Sequence, residues 1–359
     1  MSFEELKSVY AGKKVFLTGH TGFKGTWLVL LLKQLGAEVK GYSLPPLEHN
    51  ALYHQVRAEL YCESVIGDIR NREKLHREIE KFKPDFIFHM AAQALVIDSY
   101  INPVETFQTN VMGTVHVLDA LRDLNHPCKG IMITTDKVYE NQEREAPYKE
   151  SEPLGGYDPY SNSKACCELA ISSYRLSFFN PEQYDEHKIS IASVRSGNVI
   201  GGGDWSENRI LPDIARALIA DEIILVRNPN SVRPWQHVLD PLHGYLMLGA
   251  KMEQEPVKYA QAYNFGPEPK ERMNVQELVE TAIESWGSGN YDVSADPNKL
   301  HEAGLLRLNI DKSKKELGWE PKYNAKEAVQ ETIAWYKASK AEEGIKAFTE
   351  NQIAKFFND

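Results

Sequence analysis

The segment KVFLTGHTGFKG, which spans residues 14–25, decides the fold. Its first five residues form a short run of β-formers that stops at Gly19, where a glycine-rich turn begins. An apolar stretch over residues 26–35 follows, and then a second short run, EVKGYS, over residues 38–43. This order predicts a strand, a turn, a helix and a second strand, which is the βαβ unit of a parallel sheet.

The glycines of this turn have separable functions. One lets the chain turn sharply, one lets a pyrophosphate approach the backbone, and one lets the helix pack closely on the strand. The first turn of the helix also offers free N–H groups and the positive end of its dipole to an anion. The turn therefore predicts a dinucleotide site, and the βαβ context favours it more strongly than the glycines alone.

Two later segments place small and polar residues where ligands of open α/β sheets bind. Residues 85–90 and 130–135 each predict a buried strand. The first strand leads into AAQ at residues 91–93, whose small side chains leave room for a cofactor, and the second leads into Asp136 and Lys137. Because ligands lie at the carboxyl ends of such strands, we expect both segments to line one site.

Tyr160 and Lys164 are four residues apart, a spacing that puts both side chains on one face of a helix. A phenol is a poor base near neutral pH until a neighbouring cation favours its anion, and a lysine one turn away can supply that cation. The pair therefore predicts proton transfer by Tyr160. A solvated helix face is the competing interpretation of this spacing taken alone.

Taken together, these motifs resemble a known superfamily. The GxxGxxG turn and the YxxxK pair resemble those of the extended short-chain dehydrogenases/reductases, and TGHTGFKGTWL, TTDKVYEN and RSGNVIGGGDW resemble the CDP-glucose 4,6-dehydratases within it. The resemblance implies an α/β fold, a Rossmann-type doubly wound parallel sheet with a smaller mixed α/β substrate-binding lobe at the C-terminal side. Residues 1–195 plus about 238–262 would form the NAD-binding domain, and about 196–237 plus 263–359 the nucleotide-sugar-binding domain.

The resemblance also implies a reaction. CDP-glucose would be oxidised at carbon 4, lose water across carbons 5 and 6, and be reduced at carbon 6 to CDP-4-keto-6-deoxyglucose, with NAD restored. Thr135, Tyr160 and Lys164 match the family's Thr/Ser, Tyr and Lys, with Tyr160 as the base at the carbon 4 hydroxyl. Asp136 and Lys137 would carry out the elimination. The related dTDP-glucose enzymes have Asp followed by Glu there, so Lys137 takes the place of a carboxylate.

The turn and the resemblance together predict how the ligands are bound. Ser43 stands where an acidic residue commonly binds the adenosine ribose, and no Arg beside it would meet a 2′-phosphate, so we expect NAD rather than NADP. No metal is expected. The predicted cofactor-binding residues are Gly19, Thr21, Gly22, Phe23, Gly25, Ser43, Asp68, Ile69, Ala91, Ala92, Gln93, Asn110, Tyr160 and Lys164. The predicted substrate-binding residues are Asn198, Arg209, Arg233 and Asn264.

Composition sets further limits. The chain has 359 residues, which suits about two domains. Its 41 basic and 51 acidic residues give a net charge of −10, which argues against a nucleic-acid partner. Four cysteines without paired spacing, a polar acidic amino terminus and short apolar runs predict a cytoplasmic protein with no membrane association.

The assembly and two alternative functions stay open at this point. Extended family members commonly dimerise through helices that flank the sheet, so we expect a homodimer or a dimer of dimers joined through residues 104–122 and 160–179. One alternative function is a nucleotide-sugar epimerase or reductase, against which Asp136 and Lys137 argue, because an epimerase has no elimination step. The other is a non-catalytic module that senses a dinucleotide, against which the intact Tyr160 and Lys164 argue.

Overall fold

The computed structural model describes residues 1–46, 51–293, 305–341 and 344–358. Most of its strands belong to one large parallel sheet, and its helices cover both faces of that sheet. The strands are β1 (Lys14–Thr18), β2 (Glu38–Ser43), β3 (Glu63–Ile66), β4 (Phe86–His89), β5 (Cys128–Ile133), β6 (Ile189–Ser196), β7 (Val199–Ile200), β8 (Ile224–Val226), β9 (Gln236–His237), β10 (Ala262–Phe265) and β11 (Tyr291–Val293).

The helices connect these strands and form the C-terminal end of the described chain. None of them, within the described ranges, is long and apolar enough to cross a membrane. They are α1 (Phe3–Tyr10), α2 (Phe23–Gln34), α3 (Leu52–Gln55), α4 (Arg72–Phe82), α5 (Val96–Ile101), α6 (Pro103–Phe107), α7 (Gly113–Arg122), α8 (Pro159–Ser177), α9 (Tyr184–His187), α10 (Ile210–Ala220), α11 (Leu239–Gln254), α12 (Val275–Trp286), α13 (Ala325–Lys340) and α14 (Ile345–Asn358).

The large sheet has seven parallel strands in the order β3-β2-β1-β4-β5-β6-β10. Its central strands β1, β4, β5 and β6 are almost entirely buried, as expected when helices cover both faces of a parallel sheet. The strands follow one another outward from β1 in one direction and from β4 in the other. The order therefore reverses between β1 and β4, where ligands of such sheets bind. The predicted Rossmann-type fold is confirmed.

A smaller lobe is built from chain that follows β6. It contains two parallel two-stranded sheets, β7 with β9 and β8 with β11, and helices α10, α12 and α13 pack around one apolar core. The predicted mixed α/β lobe is thus present. Strand β10 is the edge of the large sheet, so it crosses the boundary predicted at residue 262. The division into two domains stays a prediction. Of the residues that it covers, 47–50, 294–304, 342–343 and 359 lie outside the described residues.

Several elements differ from their predicted bounds, and β4 is shorter than the predicted run of residues 85–90. Helix α2 begins at Phe23 rather than at residue 26, because Gly22 already serves as its N-cap. Strand β5 ends at Ile133 rather than at residue 135, which leaves Thr134 and Thr135 to carry the chain out of the sheet. The helix predicted over residues 104–122 consists of α6, a π-helical turn at Gln108–Met112, and α7.

Candidate active site

The glycine turn brings α2 close to the end of β1. Gly19 has a φ of +80°, and a Cβ built there would lie 2.8 Å from the backbone nitrogen of Ala91. A Cβ on Gly25 would lie 2.0 Å from the carbonyl oxygen of Gly19, so both positions require glycine. Gly22 is the N-cap of α2 and no side chain caps the helix there. The first N–H groups of α2 are therefore available to an anion.

The ends of β2 and β3 flank this turn. The hydroxyls of Thr21 and Ser43 hydrogen-bond at 2.9 Å, which ties the turn to the last residue of β2. After β3, the Asp68 carboxylate accepts hydrogen bonds from Arg70 Nε at 2.8 Å and Nη2 at 2.6 Å. Asp68 is not a helix cap, because Asn71 caps α4. Asp68 instead forms an ion pair with Arg70.

Two of the predicted cofactor residues hold neighbouring segments in place. The buried Asn110 side chain accepts from the Gln93 N–H at 2.8 Å and donates to the Gln93 carbonyl at 3.0 Å and to Ser163 Oγ on α8 at 2.9 Å. Ile69 is also buried, and a Cβ on Gly113 would lie 2.4 Å from Ile69 Cδ1. Asn110 and Ile69 therefore position the backbone around the crevice between β1 and β4, where the strand order reverses.

Three predicted catalytic residues form the turn that follows β5. Thr135 is the N-cap of a short 3-10 helix, Asp136–Val138, and its Oγ1 donates to Asp136 Oδ1 at 3.0 Å. Lys137 Nζ lies 3.9 Å from the same Oδ1. The Asp136 side chain is buried, whereas 22% of the Lys137 side chain is exposed. The turn presents a buried carboxylate with an amine beside it at the carboxyl edge of the sheet.

Tyr160 and Lys164 lie at the start of α8. The N-cap of this helix, Asp158, accepts from the Ser161 N–H at 2.9 Å and from the Ser161 hydroxyl at 2.5 Å. Tyr160 and Lys164 are buried, and Lys164 Nζ donates to the carbonyl of Ile133, the last residue of β5, at 3.2 Å. This bond brings the face of α8 that carries Tyr160 and Lys164 next to the turn after β5.

The end of β6 packs against Asp136. A Cβ on Gly197 would lie 2.0 Å from Asp136 Oδ2, so only glycine leaves room for the carboxylate. Asn198 has a left-handed backbone with a φ of +48°, and its Nδ2 lies 3.5 Å from Asp136 Oδ2. Asn198, which was predicted to bind substrate, is therefore beside the Asp136 carboxylate.

Lys24 belongs to this cluster although the motifs did not single it out. Its Nζ donates to Tyr245 OH at 3.1 Å, and Tyr245 hydrogen-bonds Ser196 at the end of β6. Burial, with a smaller effect of the Arg209 charge, lowers the pKa of Lys24 to about 7, although the Asp136 charge opposes this shift. The sequence could have indicated Lys24 only by its position, because Lys24 lies in the first turn of α2, at the carboxyl edge of the sheet.

The two arginines predicted to bind substrate have different surroundings. Arg209 Nη1 lies 2.9 Å from the buried carboxylate of Asp204. Burial alone would lower the pKa of Arg209, but the charges of Asp204 and Tyr160 hold it above its ordinary value. Arg233 lies between β8 and β9, and its Nη1 donates to the Val232 carbonyl at 3.4 Å. Arg209 is thus within electrostatic reach of Tyr160, whereas this contact of Arg233 is within the smaller lobe.

Asn264 requires a correction. It is fully buried in β10, where its Oδ1 accepts from Tyr139 OH at 2.7 Å. Its Nδ2 donates to the carbonyls of Tyr148 at 3.0 Å and Asn309 at 3.1 Å. The predicted substrate contact does not fit this geometry, because the side-chain amide is already used to hold two loops against the sheet.

The structure therefore gathers three chemical functions at one edge of the sheet. The glycine turn can bind a phosphate, the Tyr160 and Lys164 pair can transfer a proton, and the Asp136 and Lys137 pair can transfer another. Within the described residues, no group of three or more His, Cys, Asp and Glu side chains could hold a metal ion.

Comparison with known proteins agrees with this geometry. A family model described as GDP-mannose 4,6 dehydratase matches residues 16–332. The chain is 46% identical over 332 residues to a CDP-glucose 4,6-dehydratase of Salmonella typhimurium, covering 92% of each chain. It is 24% identical to a UDP-glucose 4-epimerase of Pisum sativum, covering 92% of this chain and 97% of that one. A dTDP-glucose 4,6-dehydratase from Streptomyces venezuelae, solved with NAD bound, matches with a TM-score of 0.78 at 23% identity, covering 92% of this chain and 98% of that one.

Replacing Lys24 by Met should change how stability depends on pH. A lysine with a pKa of about 7 in the folded chain and about 10.4 in the unfolded chain binds more protons when unfolded between those values. It therefore makes the wild-type protein less stable at pH 7 than near pH 10, and Met removes this effect. The melting temperature of Lys24→Met minus that of the wild type, without nucleotide, should be larger at pH 7 than near pH 10.

Lys7→Met, at an exposed position on α1, is the matched control. Its difference in melting temperature from the wild type should stay constant over the same pH range. A constant difference for Lys24→Met as well would contradict a pKa of Lys24 that is lowered on folding.

Proposed function

Because the chain belongs to the GDP-mannose 4,6 dehydratase family, we propose that it is a nucleotide-sugar 4,6-dehydratase that converts CDP-glucose to CDP-4-keto-6-deoxyglucose. The observation that carries the proposal is that two acid–base pairs, Tyr160 with Lys164 and Asp136 with Lys137, share one site. Oxidation at carbon 4 needs only the first pair. The second pair provides the groups for removing water, a step that an epimerase does not have.

The glycine turn fits a dinucleotide, and we infer that it binds NAD. The amino end of α2 carries no side-chain cap, and a Cβ on Gly19 or Gly25 would fill the space between the turn and its neighbours. The backbone N–H groups at the start of α2, beginning with Phe23, would hold the pyrophosphate. Bound NAD would supply a hydride acceptor at carbon 4 and a hydride donor at carbon 6. The related dTDP-glucose enzyme was solved with NAD.

The residues after β2 favour NAD over NADP. Residues 44–46 are Leu-Pro-Pro, so no cation follows Ser43 to meet a 2′-phosphate. Arg70 follows β3, and it pairs with Asp68 at 2.6 Å and with Glu105 at 3.0 Å. The preference should be modest, because the Ser43 hydroxyl offers only a neutral hydrogen bond to the ribose.

Tyr160 is the base in the first step of the proposed reaction. The tyrosinate oxygen takes the proton of the carbon 4 hydroxyl and becomes a phenol, and a lysine ammonium on the same helix face can stabilise the negative charge of such a base. The hydrogen bond from Lys164 Nζ to the Ile133 carbonyl, at 3.2 Å, holds this cation at the end of β5. Thr135 donates to Asp136 at 3.0 Å, so its oxygen can accept a hydrogen bond from the sugar.

Asp136 and Lys137 act at carbons 5 and 6. A ketone at carbon 4 acidifies the proton at carbon 5, so one group must remove that proton while another protonates the leaving hydroxyl at carbon 6. We assign the carbon 5 proton to Lys137, whose side chain is 22% exposed and can reach a bound sugar. Lys137 removes this proton as the neutral amine and becomes an ammonium. Asp136, buried beside Thr135, acts in its protonated form: it gives its proton to the carbon 6 hydroxyl, which leaves as water.

CDP-glucose is proposed as substrate because the 46% identical relative is a CDP-glucose 4,6-dehydratase. The proposal that Asn198 contacts the sugar is supported by its distance of 3.5 Å from Asp136. Arg209 would bind a phosphate, because a guanidinium has five N–H donors and can pair with Asp204 at the same time. Arg233 stays a candidate for the nucleotide.

The cysteines are consistent with a cytoplasmic location, which we also propose. All four are free thiols, and Cys128 and Cys167 are buried. Free thiols persist in a reducing compartment. Recovery of the native protein outside the cytoplasm on cell fractionation would contradict this location.

Incubation of the purified protein with CDP-glucose and NAD, without an external reductant, tests the proposed function. Mass spectrometry should show that the sugar nucleotide loses one water, with slower turnover when NADP replaces NAD. dTDP-glucose, GDP-mannose and UDP-glucose are the matched substrates and should react at least about tenfold more slowly. A product of unchanged mass would show an epimerase, and NAD binding without turnover would show a non-catalytic module.

Lys137→Ala should slow the elimination and leave the oxidation intact. Stopped-flow absorbance should show reduced nicotinamide that forms with CDP-glucose and persists, while exchange of the carbon 5 proton with solvent falls by roughly 100- to 10,000-fold. Tyr160→Phe provides the comparison, because without its base the reduced nicotinamide should not form.

Lys81→Ala, at an exposed lysine on α4, is the control for Lys137→Ala and should keep wild-type rates. A Lys137 that merely neutralised a cofactor phosphate would give a different pattern. Its loss would weaken NAD binding, yet carbon 5 exchange at saturating NAD would be normal, which would remove Lys137 from the role of base.

Exposed apolar side chains support a homodimer, or a dimer of dimers, formed through α6, α7 and α8. A solvent-exposed apolar patch of this kind marks a protein interface. Leu169→Glu would place a charge in the interface, so light scattering should show a monomer, and an unchanged mass would contradict the proposed surface. The exposed residues on or next to these helices are Val104, Met112, Leu169, Leu176 and Phe178.

A further inference from the structure

Tyr160, Lys164 and Glu168 occupy successive turns on one face of α8. A spacing of four residues keeps the three side chains in line along the helix. Glu168 is only 3% exposed, a rare position for a carboxylate unless it is paired. None of the steps assigned above uses it.

Both oxygens of Glu168 are hydrogen-bonded to the large sheet. Oε1 accepts from Thr134 Oγ1 at 2.5 Å, and Oε2 accepts from Ser193 Oγ and Arg195 Nη2, each at 2.8 Å. Thr134 directly follows β5, and Ser193 and Arg195 lie on β6. The carboxylate therefore ties α8 to two adjacent strands near the edge where the site lies.

The second terminal nitrogen of Arg195 contacts residues near the turn after β5. Its Nη1 donates to Tyr139 OH at 2.8 Å and to the Glu150 carbonyl at 3.0 Å. The guanidinium carbon lies 5.0 Å from the centre of the Tyr139 ring. Tyr139 directly follows the short helix Asp136–Val138. One guanidinium therefore joins α8, through Glu168, to the turn after β5, through Tyr139.

Tyr139 is also fixed from the opposite side. Its hydroxyl donates to Asn264 Oδ1 at 2.7 Å, and its ring stacks on Tyr148 with centroids 5.2 Å apart. The ring is fully buried. Arg195 therefore completes the set of contacts that fixes Tyr139, the residue next to the turn that carries Asp136 and Lys137.

Stability alone does not account for this ion pair. Desolvation offsets much of the attraction between two buried charges, and apolar residues of similar volume often give a protein of equal stability. Burial by itself raises the pKa of Glu168, but the Arg195 charge and the hydrogen bonds from Arg195, Thr134 and Ser193 hold it below its ordinary value. Glu168 therefore stays a carboxylate, whose directional bonds fix geometry in a way that apolar packing does not.

We propose that Glu168 and Arg195 are positioning residues that hold the Tyr160–Lys164 face of α8 in register with the Asp136–Lys137 turn. The inference rests on the proposed function, because only a reaction with both an oxidation and an elimination needs the two acid–base pairs aligned on one sugar. A displacement of about 1 Å between such groups costs on the order of a hundredfold in rate.

Arg195→Lys separates geometry from charge. Lysine keeps a positive charge beside Glu168, but one ammonium cannot replace the fork that reaches both Glu168 and Tyr139. NAD and CDP-glucose should still bind, with dissociation constants within about threefold of the wild type, because both side chains are buried and neither is among the proposed ligand-binding residues. Formation of reduced nicotinamide and carbon 5 exchange should both fall by at least about tenfold.

Arg72→Lys is the matched control, because it makes the same change in the exposed Arg72–Asp119 pair, whose atoms are 2.6 Å apart. It should keep wild-type rates. Wild-type rates per folded molecule in Arg195→Lys would overturn the proposal, and so would a loss of activity that only follows weaker binding of NAD and CDP-glucose.

Glu168→Gln combined with Arg195→Met covers the case in which Arg195→Lys does not fold. The double variant leaves no buried charge unpaired, so it should fold and bind both ligands. Its rates should show the same fall of at least about tenfold, and wild-type rates would overturn the proposal. Turnover of CDP-glucose by the wild type is measured first, because its absence would refute the proposed function itself rather than the positioning role.

Discussion

The close approach of α2 to the end of β1 is the constraint on which the rest of the site depends. A side chain at Gly25 would overlap the carbonyl oxygen of Gly19, so helix and turn can meet only if glycine is there. This contact fixes where α2 begins and leaves its amino end uncapped in the crevice where the strand order reverses. It also brings Lys24, on the same turn of helix, to Tyr245 and the end of β6.

The charges around the crevice suit a reaction that builds up negative charge. The buried Asp136 side chain has its Oδ1 3.9 Å from Lys137 Nζ. Its negative charge also acts on Lys24, where it raises the pKa against the effect of burial. Lys164 holds its ammonium at the end of β5 through the Ile133 carbonyl. In the proposed reaction, removal of the carbon 5 proton would place charge on the carbon 4 oxygen, and a fixed cation such as the Lys164 ammonium can stabilise such charge.

Local pattern explains what could be predicted from the sequence. The bounds of β1 and β2 agree with the prediction, because the glycine turn marks where β1 stops and β2 is the next short run after the apolar helix. The order of the motifs also places the Asp136–Lys137 turn and the Tyr160–Lys164 face at one edge of the sheet, since all of them follow the carboxyl ends of strands or begin a helix there.

Contacts between distant residues explain what could not be predicted. Asn264 stands in a plausible place for a ligand contact, yet its partners Tyr139, Tyr148 and Asn309 are at least 45 residues away in the chain. The use of Glu168 likewise depends on Arg195, on another element. A single sequence shows residue types and spacing, but it does not show which distant side chain satisfies a buried amide or carboxylate.

The central claim is that hydrogen removed from carbon 4 returns to carbon 6 of the same sugar within one site. Turnover of CDP-glucose labelled with deuterium at carbon 4, in ordinary water, tests it most directly: the label should appear at carbon 6, with solvent hydrogen at carbon 5, whereas label retained at carbon 4 or lost to solvent would contradict the claim.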